Sequence, residues 1–223
     1  HPISDACDYA RFCAALDFWV TTDHAEASTP RKWKSIKDAV RQCNAPSNAE
    51  DPDMVTFLGF EWTQVGLEAQ THYGHKNVIF LDTEETKVPL RPIGAGGLAT
   101  NGMRSTIGDQ AADLLKPLAI FDFPNRQRYF DFASFVKELS GVPFCEEGIS
   151  SSLLPEDCYE FADTPEDLFR KLDELNYPSI VIPHGNTWGF YTPPGSSLDK
   201  QLEEGFNNED VQILFEVMSG HGN

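Results

Sequence analysis

The sequence predicts an α/β fold with a largely parallel sheet, and three observations indicate it. Short apolar runs rich in β-branched and aromatic residues are typical of buried strands. Several of these runs are separated by segments with helical periodicity, which predicts βα units in an open sheet or a barrel. The chain has 223 residues, of which 40% are hydrophobic, enough for one domain with its own core.

The first part of the chain predicts a strand between two helices. Residues 2–15 are predicted to be helical, with Ser4 as the N-cap. The apolar positions expected to face the core from this helix are Tyr9, Phe12, Cys13 and Leu16. Residues 16–20 (LDFWV) predict a buried strand, and residues 30–43 predict a second helix capped by Thr29.

The remaining elements are less evenly spaced. Strands are predicted at 54–60, within 70–81, at 179–183 and at 211–217, and helices at 130–139 and 164–175. Thr164 is the predicted cap of the last helix, and the aromatic face of the helix at 130–139 is expected to lie in the core. Residues 83–130, which contain several glycines, are predicted to form an irregular insertion.

Side chains that bind metals recur at the predicted strand ends. Asp23 and His24 follow the first strand, Glu61 follows the second, His184 follows the strand at 179–183, and Glu216 and His221 stand at the last. Because the carboxyl ends of parallel strands meet on one side of a sheet, we expect these side chains to converge. His75 precedes its strand and is the weakest member of the predicted set.

The histidines leave alternatives open. A single histidine is more often a core or loop residue than a ligand, and only the recurrence of the pattern favours a metal site. Of the two neighbouring histidines, His75 is preferred because it stands at the strand mouth, and His72 is predicted to be a loop residue outside the site. A set of His, Asp and Glu without Cys suits Zn, Mn or Fe.

The net charge and the cysteines limit the classes of partner and of metal site that the sequence favours. The chain has 17 Lys and Arg against 35 Asp and Glu, a net charge of −18, which argues against nucleic acid and anionic membranes as partners.

The five cysteines form no CxxC pair, so a thiolate zinc site is not expected. Cys145 and Cys158 are either bridged, if the protein is exported, or buried free thiols. A cytoplasmic location also remains open.

Five motifs together resemble a bacterial branch of the PHP-like (polymerase and histidinol phosphatase) metal-dependent hydrolases: TTDHAE, GFEWT, HKNVIF, IPHGNTWGFYTPPG and EVMSGHGN. The resemblance implies a distorted (β/α)7 barrel that binds two or three divalent metal ions and hydrolyses a small-molecule substrate, in characterised members a phosphoester. It implies His24, Glu61, His75 and His184 as metal ligands. We predict Asp23, Lys76 and His221 as catalytic residues, with Lys76 steadying an anionic substrate.

The sequence departs from that family at its start. The His-x-His strand that opens the superfamily's barrel is absent, as is a later Asp-x-His pair, and the chain does not begin with Met. We therefore expect residues 1–223 to form a single but incomplete barrel domain, completed by a further segment of a longer protein. The alternative to a hydrolase is a binding or structural module without a complete metal centre.

Overall fold

The structure, a computed structural model, describes residues 3–97, 100, 104, 113–185, 192–203 and 205–216. Its helices are α1 (Ile3–Asp8), which continues as a π-helix (Tyr9–Cys13), α2 (Pro30–Asn44), α3 (Arg126–Ser140) and α4 (Pro165–Leu175). Its strands are β1 (Phe18–Val20), β2 (Val55–Gln64), β3 (Gly74–Phe80), β4 (Ile93–Ala95), β5 (Glu160–Ala162) and β6 (Ser179–His184). Short 3₁₀ turns occupy Ala25–Ala27, Glu85–Lys87, Lys116–Ile120, Phe123–Asn125 and Leu198–Leu202.

The described strands form an open mixed sheet, and the predicted (β/α)7 barrel and largely parallel sheet are wrong. The sheet has the order β1-β2-β3-β6, while β4 and β5 form a separate parallel pair. Strand β1 runs parallel to β2, but β3 is antiparallel to both β2 and β6. The reason is the short connection 65–73, which joins β2 directly to β3 without the crossover helix that parallel neighbours require.

The helix starts follow the predicted capping chemistry. The side chain of Thr29 accepts a hydrogen bond from the amide of Lys32 (3.1 Å), and that of Thr164 accepts one from the amide of Asp167 (3.2 Å). In both helices a proline follows the cap, where its missing N–H costs no hydrogen bond. The predictions for α2 and α4 are therefore confirmed.

One face of the four-stranded sheet forms the main core with α2 and α4. The buried side chains of that core include Trp33, Ile36, Val40, Leu58, Phe60, Trp62, Val78, Phe80, Leu168, Phe169, Leu172 and Val181. Alternate residues of the same strands point to the opposite face. The apolar residues there, Val20, Phe57, Ile79, Ile180 and Ile182, are only partly buried. The candidate site lies on this second face.

The predicted apolar face of the first helix is wrong. Tyr9 and Phe12 are 67% and 75% exposed, whereas Cys7 and Ala10 are buried. The π-helical turn at Tyr9–Cys13 changes the angular spacing of the side chains, so a pattern that assumes 3.6 residues per turn selects the wrong face. A disulfide from Cys7 to Cys43 of α2 fixes the face that packs inward.

Two further predictions about the core need correction. The described residues 211–216 are not a strand: they run beside β6 with hydrogen bonds from the amide of Val181 to the carbonyl of Val211 and from the amide of Glu216 to that of Pro183. In α3, which is a helix as predicted, the aromatic residues Phe130 and Phe132 are exposed, and Ala133 and Leu139 are the buried positions.

The part of 83–130 that the structure describes contains β4, whose parallel partner β5 lies far along the chain. A second disulfide joins Cys145 to Cys158, the bridged alternative of the sequence analysis. Disulfides form and persist in oxidising compartments. Within the described residues, no helix is both long and apolar enough to cross a membrane.

Candidate metal centre

Three side chains converge on the second face of the sheet: Glu61, His75 and His184, which we call the ligand trio. Each offers one ligand atom, these atoms all lie within 4.8 Å of one another, and all three residues are buried. Nδ1 of His75 lies 2.5 Å and Nε2 of His184 lies 3.5 Å from Oε1 of Glu61. In the part of the chain that the structure describes, no other group of His, Cys, Asp or Glu side chains meets this condition.

The antiparallel strand β3 explains why these residues meet. In the sheet register His75 is opposite Thr63 of β2 on one side and opposite His184 of β6 on the other. The first residues of β3 therefore lie beside the last residues of its two neighbours. His75 joins the trio because it stands at the start of β3. That position, at the opposite end of the strand from Glu61 and His184 in theirs, made it the weakest prediction in a parallel sheet.

The hydroxyl of Thr63 connects the polar residues of this face. Its Oγ1 donates a hydrogen bond to Oε1 of Glu61 (3.1 Å) and lies 3.2 Å from Nδ1 of His75. Nδ1 of His24 lies 2.8 Å from the same oxygen. A hydroxyl has one donor and two acceptor positions, so it can serve all three contacts at once.

The electrostatics of the trio favour an ionised glutamate. Burial acts to raise the pKa of Glu61, but hydrogen bonds from His184 and His75 and the nearby charge of His24 outweigh it and hold the pKa well below its usual range. Glu61 is therefore a carboxylate at neutral pH. A buried carboxylate between two imidazoles can hold a divalent cation.

His24 lies beside the trio rather than within it. Its Nδ1 is 3.7 Å from Oε1 of Glu61, and its side chain is 46% exposed. The same nitrogen lies 3.8 Å from Oε2 of Glu26, a fully buried carboxyl group. Oε1 of Glu26 accepts hydrogen bonds from the amides of Thr63 (3.0 Å) and Ala95 (2.6 Å), so Glu26 ties β4 to the ligand-bearing strand β2.

Two of the predicted catalytic residues, Asp23 and Lys76, do not lie at the trio. Asp23 is exposed and its carboxylate lies 3.4 Å from Nζ of Lys32. Lys76 lies on the core face of the sheet, where it donates hydrogen bonds to the side-chain oxygens of Gln201 (2.6 Å) and Gln212 (2.9 Å). It therefore does not reach a substrate at the trio.

Two further histidines, His72 and His221, were considered in the sequence analysis. His221 falls outside the described residues. His72 is buried in the connection between β2 and β3, as a loop residue, and is not part of the trio. Burial lowers its pKa.

Sequence reasoning missed three polar residues of this face: Glu26, Thr63 and Asn77. The spacing in the sequence could have pointed to two of them. Thr63 stands two residues after Glu61, and Asn77 stands two residues after His75. In a strand that spacing places side chains on the same face. Glu26 stands in the TTDHAE motif, two residues after His24, but its contacts to β2 and β4 depend on the tertiary fold.

No family model, no curated protein and no solved structure matches this chain. The types of ligand in the trio are therefore the evidence for its chemistry. Two histidines and one glutamate are the protein ligands of several catalytic zinc sites, with a further position open for water. The same set, on one side of the ion, binds Fe²⁺ in other enzymes.

The placement of Lys76 gives a testable expectation. Burial lowers the pKa of Lys76 from 10.5 to about 7, and its amino group donates to the side-chain oxygens of the buried Gln201 and the partly buried Gln212. Lys76→Met should lower the free energy of unfolding by about 2 kcal/mol, because those oxygens lose their donor, and should leave zinc affinity unchanged. Urea unfolding and calorimetric titration with Zn²⁺ measure the two quantities.

The matched control is Lys34→Met, which changes an exposed lysine and should affect neither quantity. A Lys76→Met protein of unaltered stability but weakened zinc binding would show that Lys76 acts at the trio after all.

Proposed function

We propose that this protein is a metal-dependent hydrolase in which Glu61, His75 and His184 hold a divalent cation. The observation that carries the proposal is the convergence of these three buried side chains, with their ligand atoms all within 4.8 Å. Zn, Mn and Fe are the candidate ions, because nitrogen and carboxylate ligands together suit them. His24 is a proposed additional ligand, since its Nδ1 lies 3.7 Å from the carboxylate of Glu61.

Hydrolysis is the reaction class that this ligand set supports. A cation held by three protein ligands lowers the pKa of a bound water toward neutrality and polarises the scissile oxygen. The protein's own contribution is to orient the ligands: Thr63 contacts Glu61, His75 and His24. The resemblance to PHP-like hydrolases favours a phosphoester as the substrate, and the membership itself is part of the proposal.

The test is hydrolysis of p-nitrophenyl phosphate by protein loaded with Zn²⁺, Mn²⁺ or Fe²⁺ and by protein treated with EDTA. We expect turnover with at least one metal and its loss after chelation, since no other nucleophile is proposed. Full turnover by metal-free protein would contradict the proposal. A protein that binds metal but hydrolyses neither this phosphate nor p-nitrophenyl acetate would favour the alternative, a binding module.

A further inference from the structure

The side chain of Asn77 presents an oxygen that the described structure leaves without a partner. Oδ1 of Asn77 is buried and makes no hydrogen bond to any described residue. Leaving a buried carbonyl oxygen unsatisfied destabilises the folded protein. Such an atom calls for an explanation, and a role in binding a water, an ion or a ligand is one of them.

Asn77 lies on the face of the sheet that carries the ligand trio. It is directly opposite Glu61 on β2 and opposite Ile182 on β6. Residues opposite each other in antiparallel strands point to the same face, and so do residues two apart in one strand. Asn77 and His75 are therefore neighbours on that face.

The side chain of Glu61 leans away from Asn77. Its Oε1 contacts Thr63 and His75, which form the next pair along the sheet. The ligand atoms of the trio therefore meet one residue pair along the sheet from the pair of Asn77 and Glu61.

The chemistry of an asparagine oxygen favours a hydrogen bond over a bond to the metal. Histidine, cysteine and carboxylate groups are the usual protein ligands of zinc, whereas a neutral amide oxygen is a ligand typical of calcium. An amide oxygen readily accepts a hydrogen bond from water.

We propose that Asn77 is a positioning residue: its Oδ1 accepts a hydrogen bond from the water molecule that attacks the substrate. The inference rests on the proposed function, because it requires a cation at Glu61, His75 and His184. It adds a residue that fixes the direction of the water, and so of the attack, relative to the trio.

The test uses protein loaded with Co²⁺, whose visible absorption changes when a water bound to the ion loses a proton. Asn77→Asp preserves the shape of the side chain and places a negative charge at the position of Oδ1. Because a nearby like charge opposes loss of a proton, we expect the midpoint pH of the absorption change to rise by about one unit. Ile79→Asp introduces the same charge on the same face one step farther along β3 and should shift the midpoint by less than half as much.

A third variant separates positioning from metal binding. Asn77→Leu should weaken Co²⁺ binding much less than His75→Ala does, because a group that binds only the water is not a metal ligand. Equal midpoints in Asn77→Asp and Ile79→Asp, or a loss of Co²⁺ affinity in Asn77→Leu as large as that in His75→Ala, would overturn the positioning role alone. A wild-type protein that does not bind Co²⁺ would overturn the proposed function and this role with it.

Discussion

Replacing His184 with alanine is expected to weaken Zn²⁺ binding by roughly 100-fold or more. Even residues that only orient a ligand change metal affinity by about 10–100-fold, and removal of a ligand itself should exceed that range. His184→Ala leaves one imidazole and one carboxylate, since His184 is one of the three residues of the trio. Calorimetric titration of the metal-free protein with Zn²⁺ measures the change.

The matched control is His72→Ala. His72 is also a buried histidine, but it lies outside the trio, so its loss should leave zinc affinity within a fewfold of the wild type. If the two alanine variants bound zinc equally well, the trio would not be the metal site.

The buried carboxyl of Glu26 is expected to make stability depend on pH. Burial raises its pKa from 4.5 to about 7, against the opposing hydrogen bonds from the amides of Thr63 and Ala95. The folded protein therefore holds this proton more tightly than the unfolded chain. The resulting stabilisation is complete below pH 4.5 and is lost as the pH rises to about 7, a change of about 3 kcal/mol.

Glu26→Gln isolates this effect, because a glutamine oxygen can still accept both amide hydrogen bonds and does not titrate. The measurement compares the free energy of unfolding of the two metal-free proteins. The value for Glu26→Gln minus that for the wild type should rise by about 3 kcal/mol between pH 4.5 and pH 7. The exposed Glu68 provides the control variant Glu68→Gln, for which we expect no such rise. A pH-independent difference for Glu26→Gln would mean that folding does not raise the pKa of Glu26.

Local elements were predictable because their signals are local. The caps Thr29 and Thr164 and the prolines after them act within one helical turn, and both helices begin where the sequence predicts. The strand direction was not predictable in the same way. Alternating strands and helices favoured a parallel sheet, but the short connection between β2 and β3 imposes an antiparallel pair. That reversal rules out the largely parallel sheet, and the pairing of β4 with β5 outside the main sheet departs from the predicted barrel as well.

The residues of the candidate site were partly accessible from sequence for a similar reason. Glu61 and His184 could be found because each is a polar residue at the end of an apolar run. The position of Lys76 next to His75 suggested a shared site, yet adjacent residues in a strand point to opposite faces, and Lys76 is buried in the core. Glu26 depends on contacts between strands distant in sequence, which no local pattern encodes.

The most direct measurement is an anomalous diffraction map recorded at the zinc edge from crystals of the zinc-loaded protein. We predict a peak bonded to Oε1 of Glu61, Nδ1 of His75 and Nε2 of His184, each at about 2.0–2.2 Å. A loaded protein whose zinc lies elsewhere, with these three side chains bound only to one another, would contradict the metal centre.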